Sequence, residues 1–172
     1  MVESPNRDVR VFLITYNIFN MPTIDNFIQD LTEMRDNLND TIDKTLMNKE
    51  SDIIQILQKR LYDTGKNGIG NSLREYKPQT KISKKARGQK YDVTTLFDKG
   101  DFYSKMFVFS KDAVMQISST DWKRDKLVKK YGGNIFQLLP EEQEKVVVEY
   151  LEPKLKSIIP SYDFTVKLEL NG

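Results

Sequence analysis

Between Ile24 and Leu46 the apolar residues Ile24, Phe27, Ile28, Leu31, Met34, Leu38, Ile42 and Leu46 recur at spacings of three and four. That period predicts one long amphipathic helix, with Thr23 as its cap. Ser51 is positioned to cap a second helix with the stripe Ile53, Ile54, Leu57 and Leu61, ended at Gly65. From Gly65 to Lys90 the periodicity lapses, and Gly65, Gly68, Gly70, Pro78 and Gly88 punctuate a polar stretch of more than 20 residues. It reads as an irregular loop, of the length that is usually functional or disordered. Val93 to Phe97 predicts a short strand, and Asp98-Lys99-Gly100-Asp101 supplies turn chemistry. A hairpin follows, with Phe102 to Phe109 as one arm, Ser110-Lys111-Asp112 as the connection, and Ala113, Met115 and Ile117 alternating with polar positions on the return arm.

Thr120 or Asp121 can cap a short helix through Trp122, Leu127, Val128 and Tyr131, closed by Gly132-Gly133, with Trp122 expected in the core. Ile135, Phe136 and Leu138 form a connector. Pro140 and the acids after it suit a helix start, and Val146, Val147, Tyr150, Leu151, Leu155 and Ile158 give that helix its buried stripe. Pro153 is expected to kink or split it, and Pro160 to stop it. Phe164, Val166, Leu168 and Leu170 alternate with Thr165, Lys167 and Glu169, the pattern of a half-buried strand. At the other end, Val11 to Tyr16 fits either a strand of the chain's own sheet or an arm added to the edge of a neighbour's.

No repeat or linker divides the chain, so residues 1–172 are expected to make one α+β domain. Long N-terminal helices and a C-terminal helix pack on a small antiparallel sheet, with 1–22 an arm or strand and 65–92 a mobile basic loop. At 172 residues and 38% hydrophobic, the chain is long enough for one core. No apolar run approaches the ~20 residues of a membrane span, and Met1 to Arg10 lacks the charged start of an export signal. Assembly in a cytoplasm is the expectation.

The overall balance of 27 bases against 25 acids hides local asymmetry. Residues 24–47 hold six acids (Asp25, Asp30, Glu33, Asp36, Asp40, Asp43) and two bases (Arg35, Lys44), giving the first helix an acidic face. Arg74, Lys77, Lys81, Lys84, Lys85, Arg87 and Lys90 face one acid, Glu75, a local charge of +6. Such a segment can neutralise phosphates, or dock on another protein chain.

With neither Cys nor His in the chain, disulfides, thiolate nucleophiles, Cys/His zinc sites and imidazole acid–base chemistry are excluded. Asp98, Asp101, Asp112 and Asp121 cluster around the hairpin and invite a cation or an acid–base pair, but each sits where Asp commonly stabilises a turn or helix start. Lys167-Leu168-Glu169 lacks the upstream Asp that a nuclease pairing needs. Gly65-Lys66-Asn67-Gly68-Ile69-Gly70 is not a phosphate loop, because no Gly-Lys-Ser/Thr follows. The expectation is a protein that is not an enzyme and takes no cofactor or metal.

The run Thr94-Thr95-Leu96-Phe97-Asp98-Lys99-Gly100-Asp101-Phe102-Tyr103, followed by Asp121-Trp122-Lys123 and Lys130-Tyr131-Gly132, resembles the virion-morphogenesis proteins of tailed bacteriophages. These are the neck, head–tail connector or tail-completion proteins, in particular forms from phages and prophages of Bacteroidetes. The resemblance spans roughly residues 70 to 140, with Lys99 where the family often has Thr. It implies a ring of identical subunits in the neck or upper tail of the virion, assembled in the bacterial host cytoplasm. The implied partners are copies of the chain, neighbouring portal, neck or tail proteins, and duplex DNA in the channel. Asp98 and Gly100 carry over as turn-formers, and the basic loop as a segment that meets neighbours or lines the channel. A nucleic-acid-binding protein using residues 74–90 is the alternative.

Overall fold

The computed structural model describes residues 24–158; the arm at 1–22, the Thr23 cap and the strand expected at 164–170 lie outside them. Helix α1 (Ile24–Asn48) runs for 25 residues, about 38 Å at 1.5 Å per residue. Its first ten residues stand exposed; burial begins at Met34 and is complete only at Leu46. Helix α2 (Glu50–Thr64) buries Ile53, Ile54, Leu57 and Leu61 on the stripe its period predicts. It starts one residue ahead of Ser51, which does not cap it: the preceding Lys49 holds the cap position without a side-chain bond. Gly65 ends it with a left-handed φ of 63°, its N–H bonded to the Leu61 carbonyl.

Residues 67–71 are tied down by the Asn67 side chain, whose Oδ1 accepts from the amides of Ile69 and Asn71 at 3.2 and 3.0 Å. Then comes helix α3 (Pro78–Ala86), with Pro78 in its first turn. The expectation of an irregular loop over 65–92 therefore fails over Pro78–Ala86, where a helix forms. The periodicity failed because the buried residue of α3 is a lysine, Lys84, while Ile82 is exposed.

Val93 to Phe97 is no strand either. Its backbone is satisfied by side chains: the Thr95 amide donates to the Tyr76 hydroxyl at 3.0 Å, and the Tyr103 hydroxyl donates to the Thr95 carbonyl. A four-residue helix, α4 (Asp101–Ser104), occupies the start of the expected first hairpin arm. Strands β1 (Met106–Lys111) and β2 (Val114–Ser119) then pair antiparallel through the two-residue turn Asp112-Ala113, both at positive φ. Asp43 of α1 braces that turn, accepting from Ser110 Oγ and the Ala113 amide at 2.5 and 3.1 Å.

Helix α5 (Arg124–Tyr131) closes at Gly132, a 3-10 turn covers Gly133–Phe136, and helix α6 (Pro140–Val146) starts on its proline. A π turn at Val147–Leu151 separates it from α7 (Glu152–Ile158), so the helix is split just before Pro153. The core gathers α2, the inner face of the hairpin, Ile135, Phe136, Leu138 and Val146. An aromatic chain Tyr62–Phe97–Tyr103–Phe102–Phe136 runs through it, with ring centroids 5.5 to 6.3 Å apart. This is an α+β fold, helices packed on a small antiparallel sheet.

Candidate functional site: a cationic groove and an acidic helix

Three segments far apart in sequence wall one groove of about 370 Å³: α3, the turn Leu96–Phe102, and α5. Its cations are Lys77, Lys84, Arg87, Lys99, Lys123 and Lys130, against Asp98 and Asp101. Lys84 is 3% exposed. Its Nζ donates to the Phe97 carbonyl and to Gln89 Oε1, and lies 5.0 Å from the Tyr76 ring centre, so this charge pins α3 to the turn. Arg87 holds Asp98 at 2.6 Å, and that bond keeps the Asp98 carboxyl below its usual range. Gly100 has φ 94°, a conformation for which a residue without Cβ is suited.

Of the seven bases expected to act together, Lys77, Lys84 and Arg87 line the groove. The others are engaged or placed elsewhere. Lys81 pairs with Glu75 at 2.7 Å, Lys85 lies over Tyr91, Lys90 donates to the Asp63 carbonyl, and Arg74 is exposed outside the groove.

Lys99, Lys123 and Lys130 were not anticipated. The signal was there in Trp122 to Tyr131, which carries five bases and one acid. Trp122 itself is 68% exposed, contrary to the expectation of a core residue. Lys123 and Lys126 lie over its ring at 5.5 and 5.0 Å, and Lys130 over Tyr131 at 4.6 Å. It precedes α5, where its ring lies outside the helix's inner face. Asp121, by contrast, is buried; its Oδ1 accepts from the Lys123 amide at 2.8 Å, and its carboxyl is held below the usual range. Asp112 lies in the hairpin turn, apart from Asp98 and Asp101, which share the Leu96–Phe102 segment where Asp101 opens α4. Among the described residues no group of three or more acids is placed to hold a metal ion, and no helix is long and apolar enough to cross a membrane.

The exposed half of α1 is the acidic counterpart. Asp25, Asp30 and Glu33 project beside an uncovered stripe of Ile24, Phe27, Ile28 and Leu31, which are 41 to 79% exposed. Asp36 and Asp40 are paired within the helix, to Arg35 and Lys44, and Asp43 belongs to the hairpin. No protein-family model, no curated protein and no solved structure matches this chain.

Proposed function

We propose that the protein is a structural virion component of a tailed phage, forming a homo-oligomeric ring in the neck or upper tail that joins head and tail. In the ring, the projecting half of α1 from one subunit lies against the cationic groove of the next. The observation that carries this reading is the division of charge and apolar surface between two separate elements. Asp25, Asp30, Glu33 and an uncovered apolar stripe stand on α1; Lys77, Lys99, Lys123 and Lys130 line the groove, and the exposed Trp122 precedes Lys123 in the chain. Contact between two different patches of the same chain is head-to-tail, and closes into a ring when the rotation permits. Because α3 is folded and pinned by Lys84, the contact is made by formed surfaces, without an unstructured segment.

Sedimentation of the protein against concentration and salt tests this. Lys123→Glu with Lys130→Glu should abolish self-association, and mixing that variant with Asp30→Lys/Glu33→Lys should restore it as mixed oligomers. Unchanged association in the charge-reversed chain would refute the contact. Labelled protein in intact particles should lie at the head–tail junction.

Trp122 with Lys123 and Lys126 over its ring, and four groove cations (Lys77, Lys99, Lys123, Lys130) with no ion pair to an acid among the described residues, favour a second reading as a nucleic-acid-binding protein. If Lys77, Lys99, Lys123 and Lys130 each neutralise one phosphate, log affinity for duplex DNA should fall with log salt at a slope of roughly −3.6. Weak binding with little salt dependence would leave the assembly reading alone.

A further inference from the structure

The cationic groove holds a buried ammonium with no carboxylate bound to it. Lys84, 3% exposed, donates to the Phe97 carbonyl and to Gln89 Oε1, both neutral, and it is in no ion pair among the described residues. A charge taken out of water in this way is costly unless an opposite charge comes near it. Lys77, Lys99, Lys123 and Lys130 line the same groove, also in no ion pair among the described residues. They come from three separate segments, so the fold brings them together, and they are not the solvated face of one helix. The Asp98 carboxyl records the convergence: its bond to Arg87 holds it low first, and the charges of Lys123 and Lys84 act on it in the same direction.

With Arg87 and Asp98 cancelling each other, five lysines face one acid, Asp101, a local charge of +4. The groove's volume of about 370 Å³ lies within the ~300–1,000 Å³ of small-molecule sites, so the charge suits a compact polyanion. A triphosphate chain carries a comparable negative charge and offers several oxygens to charged donors at once. Tyr76 and Tyr131 add aromatic surface to the same walls. We propose that this groove binds the triphosphate group of a nucleoside triphosphate or of free tripolyphosphate through Lys77, Lys99, Lys123 and Lys130, and that the bound chain displaces the α1 acids of a neighbouring subunit. The binding stands on the groove alone, whereas the displacement rests on the assembly reading.

Equilibrium dialysis without divalent ions, at matched ionic strength, measures binding to Asp30→Asn/Glu33→Gln, which keeps the groove and loses charge from α1. Tripolyphosphate should bind about a hundredfold tighter than orthophosphate, and equal binding of the two overturns the proposal. Adding Lys77→Ala with Lys130→Ala should weaken tripolyphosphate by about a hundredfold, at about tenfold per charged hydrogen bond lost. Lys154→Ala, exposed on α7, should change it by less than about twofold. Equal losses in the two variants show attraction to net charge only and overturn the site. ATP separates the sources: affinity equal to that of tripolyphosphate assigns the site to the phosphate chain alone, and affinity at least about tenfold tighter assigns it to a nucleotide with its base on Tyr76 or Tyr131. In sedimentation of the unaltered chain, tripolyphosphate should return oligomers to monomers. Oligomers that persist at saturation overturn the displacement. A chain that binds tripolyphosphate but never associates overturns the assembly reading and the displacement with it, while the site stands.

Discussion

Removing the guanidinium of Arg60 should be among the most damaging single changes in the folded core. Arg60 is 6% exposed; it bonds Glu142 Oε2 at 2.6 Å and the Gln137 carbonyl at 2.7 Å, while its Nε has no hydrogen-bond partner among the described residues. Glu142 Oε2 also accepts from the Leu139 amide at 2.9 Å, the start of α6. Burial lowers the Arg60 guanidinium and pushes the Glu142 carboxyl up, so desolvation offsets much of the attraction. Arg60→Met leaves a largely buried carboxylate without its cation, at a cost of about 3–5 kcal/mol. At roughly 2–4 °C per kcal/mol, Tm should fall by roughly 6–20 °C. Adding Glu142→Gln keeps an acceptor for the Leu139 amide without the charge and should recover about half of the loss. The sign with pH follows from the carboxyl's raised position. In Arg60→Met the folded state holds its proton more tightly than the unfolded chain, so the deficit is smallest below pH 4 and grows as pH rises through the folded pKa. Urea titrations followed by circular dichroism at pH 4 and 7.5 measure all three proteins. A loss under about 1 kcal/mol for Arg60→Met, or a double variant no better than the single, refutes the reasoning.

Gly68→Ala should destabilise by about 1–3 kcal/mol in the same assay, since a Cβ there would stand 2.4 Å from the Gln137 Cβ and 2.5 Å from its carbonyl oxygen. Trp122→Ala should change stability by no more than about 0.5 kcal/mol, the ring being 68% exposed, while weakening self-association in sedimentation. Asp98 is held below its ordinary range, so its contribution is complete above about pH 4 and is lost as pH falls through the folded value. Asp98→Asn should flatten acid unfolding by about 0.5 kcal/mol, a half-exposed pair being well screened.

Helices α1 and α2, the Gly65 stop, the hairpin and the break before Pro153 were legible because each rests on local pattern: spacing of three and four, alternation, or glycine and proline chemistry. Helix α3 was not, since its inward residue is Lys84, and a charged residue at a buried position erases the apolar period. Val93 to Phe97 looked like a strand by composition, yet its hydrogen bonds go to tyrosine hydroxyls, a tertiary arrangement invisible to propensity. Trp122 was misplaced because ring size favours burial in general, while its position ahead of α5 leaves it in solvent. The groove joins residues 77, 99 and 130, and no local window holds all three; only half of its cations came from the basic stretch that drew attention.

The carboxylate of Asp43 ties the tip of the hairpin to the middle of the last four turns of α1. A continuous helix is stiff along its axis, so its free and anchored halves move as one rod. In the ring proposed above, a neighbour gripping Phe27 or Leu31 would pull on Ser110 and Ala113 through Asp43.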